Sequence, residues 1–76
     1  MSLEILWEPG AERALLRHWH TAEKIGAAVL RFAGTGEGDV ERIGPRYRLR
    51  AAGHHVIFRV DDAAQTLIVF GVYPSR

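Results

Sequence analysis

The chain contains no cysteine, and Lys24 is the single lysine among its ten basic residues. Without cysteine it can form neither a disulfide nor a thiolate zinc site, a composition that fits a reducing compartment. No apolar run approaches the roughly 20 residues that a membrane-spanning helix needs. The first residues, MSLEILWEPG, lack the basic lead and the small-residue cleavage site of a signal peptide. We therefore expect a cytoplasmic protein without a membrane segment.

What the chain does contain is enough apolar sequence for one small core. It has 76 residues, of which 47% are hydrophobic, and this length is near the lower limit for a domain that folds without disulfides or metals. A disordered chain would have a smaller apolar fraction. The sequence therefore predicts a single domain over residues 1–76.

The net charge of +1 conceals an uneven distribution of charged residues. Residues 1–41 carry seven acidic and four basic side chains, whereas residues 42–76 carry two acidic and six basic ones. Between Arg42 and Val60 there are five arginines and two histidines, and no acidic residue. Such a segment indicates a partner with negative charge, although a solvated basic surface without a partner would have the same composition.

The periodicity of the first half predicts a strand followed by two helices. LEILWE is rich in strand-forming residues, and Pro9 suits the first turn of a helix. Thr21 is a candidate N-cap for a second helix, which Gly34 would end. Residues 34–45, with four glycines and a proline, are predicted to form a loop.

The last third of the chain has the pattern of β-strands. Arg46–Ala51 and His54–Val60 flank Ala52–Gly53, which is a plausible two-residue hairpin loop. Leu67–Val72 is apolar on both faces, as an inner strand would be. The predicted order is therefore β-α-α-β-β-β, an α+β fold with an antiparallel sheet and two helices packed on one face.

This hairpin would collect its basic residues on one face. Pairing across the turn sets Arg50 opposite His55 and Arg46 opposite Arg59, and alternate side chains point to the same side. A slip of one residue would bury arginines, so the apolar pattern determines the register. One face then carries Arg46, Arg48, Arg50, His55, Ile57 and Arg59, and the covered face carries Tyr47, Leu49, Val56, Phe58 and Val60.

The sequence resembles the RelE/ParE superfamily of toxins from bacterial type II toxin–antitoxin modules. The segments WEPGAERAL, YRLR, GHHVIFRVDD and LIVFGVYPSR carry the resemblance, which covers essentially the whole chain. It implies the same β-α-α-β-β-β fold and a cognate antitoxin as partner. RelE-like members cut messenger RNA on the ribosome through attack of a 2′-hydroxyl on its adjacent phosphate, whereas ParE-like members inhibit DNA gyrase.

For the RelE-like activity, the resemblance implies catalytic roles for Arg48, Arg50, His55 and Arg76. The arginines would hold the scissile phosphate, because a guanidinium group is always charged and binds phosphate bidentately. His55 would carry a proton, since an imidazole can do so near neutral pH.

Arg46 and Arg59 would contribute to RNA binding on the same face. A tyrosine that is catalytic in some members lies on a C-terminal helix beyond the position of Arg76, and Tyr73 comes too early in the alignment to be its equivalent. We expect no cofactor and no metal, because the four histidines lack the spacing and the acidic or thiolate partners of a ligand set. Trp7 and Trp19 are expected in the core.

Two alternatives to the nuclease remain open. The absent tyrosine, the single lysine and a pI of about 8.3 favour a ParE-like toxin acting on DNA gyrase. A degenerate toxin that binds an antitoxin and has no target of its own is the other alternative. In each case the groove between the helices and the sheet edge would suit an antitoxin segment.

Overall fold

Two helices cover one face of a five-stranded sheet, which confirms the predicted α+β class. The computed structural model describes residues 2–75. Within them, no helix is long and apolar enough to cross a membrane. The elements follow in the order β1 (Glu4–Trp7), α1 (Pro9–Arg17), α2 (Trp19–Thr35), β2 (Val40–Ile43), β3 (Arg46–Ala51), β4 (His54–Asp61) and β5 (Thr66–Pro74).

The sheet is mixed, whereas the sequence predicted an antiparallel one. Its strand order is β1-β5-β4-β3-β2. β1 lies parallel to β5, with Ile5 opposite Leu67, and the remaining neighbours are antiparallel. β1 and β5 are separated by most of the chain, so no tight turn imposes an antiparallel direction on this pair.

A further strand lies inside the segment that was predicted to be a loop. Residues 34–45 contain β2, which pairs with β3 so that Glu41 lies opposite Arg48. The chain reverses between them at Gly44, whose φ of +60° suits the first position of a two-residue hairpin turn. The prediction was wrong because β2 has only four residues, does not alternate between apolar and polar residues, and lies in a segment rich in glycine.

Both ends of α2 lie outside their predicted positions. The helix begins at Trp19, so Thr21 lies within its first turn, where Oγ1 donates a hydrogen bond to the His18 carbonyl oxygen at 3.2 Å. The helix also continues through Gly34. It ends before Gly36, whose φ of +77° is the left-handed conformation that glycine adopts readily after a helix.

The core lies between the helices and the covered face of the sheet. Phe58 on β4 connects the two layers: its ring centroid lies 5.1 Å from that of Phe32 on α2 and 5.3 Å from that of Tyr47 on β3. Burying aromatic and aliphatic side chains in this way is the main stabilising contribution in a domain of this size. The largest fully buried side chains are Phe58, Ile25, Leu49, Leu67, Val29, Val56 and Val69.

The two tryptophans differ in their environment. Trp7 packs against the core, as predicted. Trp19 is 68% exposed, and its ring stacks on the neighbouring His20. The prediction for Trp19 was wrong because this residue begins a new helix instead of continuing the apolar stripe of α1.

Candidate functional site

The open face of the sheet carries the predicted basic residues. β3 and β4 pair in the predicted register, with Arg50 opposite His55 and Arg48 opposite Ile57. Ala52 and Gly53 form the turn with φ values of +50° and +77°, as a type I′ hairpin requires. The covered side of the same hairpin is apolar, since Leu49, Val56 and Phe58 are fully buried.

Arg46 reaches across the open face to β5. The β3–β4 ladder ends with Tyr47 opposite Phe58, so the predicted Arg46–Arg59 pair is not part of it. Arg46 instead lies over the ring of Phe70, with 4.5 Å between the guanidinium carbon and the ring centroid. Arg46 is two positions from Arg48 along β3, or about 7 Å at the usual rise, and Arg59 is two positions from Ile57, the partner of Arg48. Both arginines therefore lie on the open face beside Arg48, and farther from His55.

Arg48 is engaged by a carboxylate that sequence analysis missed. Its Nη2 donates a hydrogen bond to Oε1 of Glu41, the residue opposite it on β2. This hydrogen bond and the charge of Arg48 hold the pKa of Glu41 below its ordinary value, and the charges of Arg50 and His55 contribute less. We refer to Glu41, Arg48, Arg50 and His55 as the open-face cluster.

Glu41 belongs to residues 34–45, which were predicted to form a loop. The sequence signal for its true position is the Gly-Pro that follows VERI, because a two-residue turn there pairs VERI with RYRL and sets Glu41 opposite Arg48. Four residues are a weak signal for a strand. The pairing of β2 with β3 in the structure is therefore needed to identify Glu41 as the partner of Arg48.

His55 has an unusual environment within the open-face cluster. Its Nε2 is shielded from solvent and has no hydrogen-bond partner in the described part of the chain. A shielded polar atom without a partner costs free energy, so its presence calls for an explanation such as a functional role. In the sheet register the residue lies between Arg50 on β3 and Tyr73 on β5.

The cluster combines two kinds of chemistry. Its guanidinium groups can bind phosphate oxygens and remain charged, and its imidazole can accept or donate a proton near neutral pH. Arg76, the remaining predicted catalytic residue, lies outside the described residues, so its role stays a prediction. Within residues 2–75, no three or more histidine, aspartate or glutamate side chains lie together as a metal site would require.

If the open-face cluster binds RNA, replacing Glu41 with glutamine should strengthen that binding. The pKa of Glu41 is lowered from 4.5, so at neutral pH its carboxylate is charged and competes with phosphate for Arg48. Losing this charge should tighten binding several-fold and steepen the salt dependence by ~0.7 per additional phosphate contact on single-stranded RNA. Fluorescence anisotropy of a labelled RNA oligonucleotide at several salt concentrations measures both effects.

Glu23→Gln is the matched control for this experiment. Glu23 is exposed on α2, which covers the opposite face of the sheet from the open-face cluster. The control removes the same charge from the protein without releasing Arg48. Equal affinities for the Glu41→Gln and Glu23→Gln variants would contradict competition at Arg48.

A groove runs beside the last residues of β5. β1 pairs only with Thr66 to Val69, so in the described part of the chain the remaining edge of β5 has helix α1 beside it and no strand. The unpaired backbone groups of such an edge can accept a further strand. The groove is lined by Gly10, Ala14, Arg17, His18, Phe70, Gly71, Val72, Tyr73 and Pro74.

Comparisons with known proteins agree with this geometry at the level of the fold. No protein-family model matches the sequence, and no curated protein matches it. A chain in the crystal structure of the toxin–antitoxin complex RelBE2 from Mycobacterium tuberculosis matches with a TM-score of 0.65 at 23% sequence identity. The match covers 97% of this chain and 99% of that chain. It confirms the architecture expected from the sequence: this chain shares the fold of a chain in that toxin–antitoxin complex.

Proposed function

We propose that this protein is the toxin of a type II toxin–antitoxin module and acts as a ribosome-dependent endoribonuclease on messenger RNA. The observation that carries the proposal is the open-face cluster. On a RelE-like fold, two guanidinium groups and an imidazole occupy neighbouring positions of one hairpin and face away from the core. Binding a phosphate and moving a proton is the chemistry that such a set supports best.

In the proposed reaction, Arg48 and Arg50 bind the scissile phosphate and stabilise the negative charge that grows on it. His55 accepts the proton of the adjacent 2′-hydroxyl, whose oxygen attacks the phosphorus atom. The bond between phosphorus and the 5′-oxygen then breaks, and the leaving oxygen takes up a proton from an acid in the site or from water. The products are a 2′,3′-cyclic phosphate on one fragment and a 5′-hydroxyl on the other.

The Arg48–Glu41 pair determines how the substrate would enter. A phosphate and a carboxylate are both acceptors for the same guanidinium fork, so RNA displaces Glu41 when it binds. The side chain of Glu41 is 61% exposed, so water can solvate the released carboxylate. Displacement therefore leaves no buried charge behind.

A cognate antitoxin is the proposed protein partner. The groove beside β5 offers it an unpaired strand edge, where an extended segment could add as a further strand. A partner that binds the folded chain also stabilises it by mass action. Because the proposed substrate is messenger RNA on ribosomes, the proposed location is the cytoplasm.

Cleavage of a defined messenger RNA on translating ribosomes tests the proposal. We expect the wild-type protein to cut in the ribosomal A site, and His55→Ala to cut more slowly by about 10²- to 10⁴-fold, the usual contribution of a general base. A 2′-deoxy nucleotide at the cleavage position should abolish the cut. Primer extension maps the cleavage positions, and His20→Ala on the exposed side of α2 is the matched control.

Two other experimental outcomes would favour one of the two alternative functions over the nuclease. If ribosome-bound messenger RNA stays intact while purified DNA gyrase loses supercoiling activity at low stoichiometry, the protein is a ParE-like toxin. If neither target is affected but the antitoxin still binds, the protein is a degenerate toxin.

A further inference from the structure

We propose that Tyr73 is a further catalytic residue, the general acid that protonates the leaving 5′-oxygen. The inference rests on the proposed nuclease function and adds a second proton-transfer group to it. In the alignment, Tyr73 comes too early to be the equivalent of the family's catalytic tyrosine. Its position on the folded sheet nevertheless places it beside the open-face cluster.

A bulge in β5 is the first observation. Ile57 on β4 lies opposite Gly71, but the next residue, Phe58, lies opposite Val69. Phe70 is therefore an extra residue without a partner of its own in the ladder. One extra residue reverses which side chains of a strand point to which face.

The consequence of the bulge is that Tyr73 lies on the open face. Before the bulge, Leu67 and Val69 are the buried residues of β5, and after it Val72 is buried. Without the extra residue, Tyr73 would share the core face with Leu67 and Val69. Instead it lies opposite His55 and is 55% exposed.

The contact between Tyr73 and Gly71 is the second observation. A Cβ atom at position 71 would lie 2.5 Å from the Tyr73 hydroxyl oxygen and 2.7 Å from Cζ, so any residue but glycine would force the phenol to move. Gly71 is not among the residues with positive φ, so its role is to leave space and not to permit an unusual backbone. The phenol thus lies back along β5, over Gly71.

This placement sets the hydroxyl across from Arg48. Gly71 lies opposite Ile57, and Ile57 lies opposite Arg48, so the three occupy one row across β5, β4 and β3. Two strand spacings, about 9 to 10 Å, separate the outer members of the row. A phosphodiester bound above Ile57 has the guanidinium of Arg48 on one side and the phenol of Tyr73 on the other, with His55 in the adjacent row.

The two proton transfers then complete the reaction. His55 takes the proton of the 2′-hydroxyl as its oxygen bonds to phosphorus. As the bond to the 5′-oxygen breaks, the Tyr73 hydroxyl gives that oxygen its proton; a phenol is a donor at neutral pH. Exchange through water returns the imidazolium and the phenolate to their neutral forms, so the step consumes no further reactant.

The test compares the wild-type protein with Tyr73→Phe on two RNA substrates bound to ribosomes. One substrate has the natural 5′-oxygen at the cleavage position, and the other has sulfur there, so that a thiolate leaves without being protonated. On the oxygen substrate we expect Tyr73→Phe to be slower by about 10²- to 10⁴-fold, as for loss of a general acid. On the sulfur substrate its rate should return to within a few-fold of the wild-type rate, while His55→Ala stays slow.

Tyr47→Phe is the matched control, since it removes the chain's other phenol from the covered face of the sheet, where its ring stacks on Phe58. Anisotropy should give equal RNA affinities for the wild type, Tyr73→Phe and Tyr47→Phe. The inference is overturned if Tyr73→Phe cuts the oxygen substrate at the wild-type rate, or if its defect persists with sulfur. A wild-type protein that cuts neither substrate overturns the proposed function itself, so the two failures are distinguishable.

Discussion

Replacing Arg48 with alanine should slow messenger RNA cleavage by about 10²- to 10³-fold, the usual cost of removing a group that stabilises charge in the transition state. Arg48 is the central basic residue of the open face: it lies on the inner strand β3, and the row that contains it also contains Gly71 beneath the Tyr73 phenol. Its side chain is 32% exposed, so the neighbouring strands restrict the positions of the guanidinium. Single-turnover cleavage on translating ribosomes, together with growth of cells expressing the variant, measures the effect.

The fold should survive this substitution. The only ion-pair partner of Arg48 in the described residues is Glu41, which is mostly exposed and can be solvated by water. Exposed ion pairs contribute little to stability, so the circular dichroism spectrum and melting temperature should stay close to those of the wild type.

Arg13→Ala is the matched control for Arg48→Ala. It removes one arginine from the exposed side of α1, so both variants have the same net charge. Arg48→Lys tests geometry, since lysine keeps the charge but lacks the planar fork, and we expect it to retain only part of the activity. If Arg48→Ala and Arg13→Ala are equally active and equally toxic, the open-face cluster is not the site of the reaction.

Replacing Phe58 with alanine should lower the free energy of unfolding by about 3 to 5 kcal/mol. Phe58 is fully buried and contacts Phe32 on α2 as well as Tyr47 on β3, so its removal opens a cavity between the two layers. Domains of this kind are stable by roughly 5 to 15 kcal/mol, and a chain of 76 residues buries little apolar surface in compensation. Urea denaturation followed by circular dichroism gives the change directly.

Leu16→Ala provides the comparison for Phe58→Ala. Leu16 is 66% exposed on α1, so its truncation should alter the free energy of unfolding by no more than about 0.5 kcal/mol, as surface substitutions usually do. Similar losses for Phe58→Ala and Leu16→Ala would mean that the layer between α2 and the hairpin is not the core.

The hairpin of β3 and β4 shows how much of the candidate site was predictable. Its turn, its register and its division into an arginine face and an apolar face follow from Ala52–Gly53 and from the alternation of arginine with apolar residues in β3. These determinants are local, because a two-residue turn sets which residues pair and a period of two sets which face each one occupies. Arg48, Arg50 and His55 were placed together for that reason.

Glu41 and Tyr73 were not predictable in the same way. Glu41 reaches Arg48 through β2, a strand of four residues in a glycine-rich segment, and so short a strand is recognisable mainly by its pairing. Tyr73 reaches the open face through the bulge at Phe70. In LIVFGV, where nearly every residue is apolar, no alternation exists whose reversal could reveal the bulge.

From its sequence alone, this chain specifies two amphipathic helices, a basic hairpin and an apolar inner strand, since each of these depends on neighbours within a few residues. Only the tertiary structure sets β1 parallel to β5, pairs Arg48 with a carboxylate and places Tyr73 on the open face opposite His55. The first and third of these features join segments that are distant in the sequence, and the second depends on a strand of only four residues. Their geometry is decided by packing across the sheet, which no local pattern of residue types encodes.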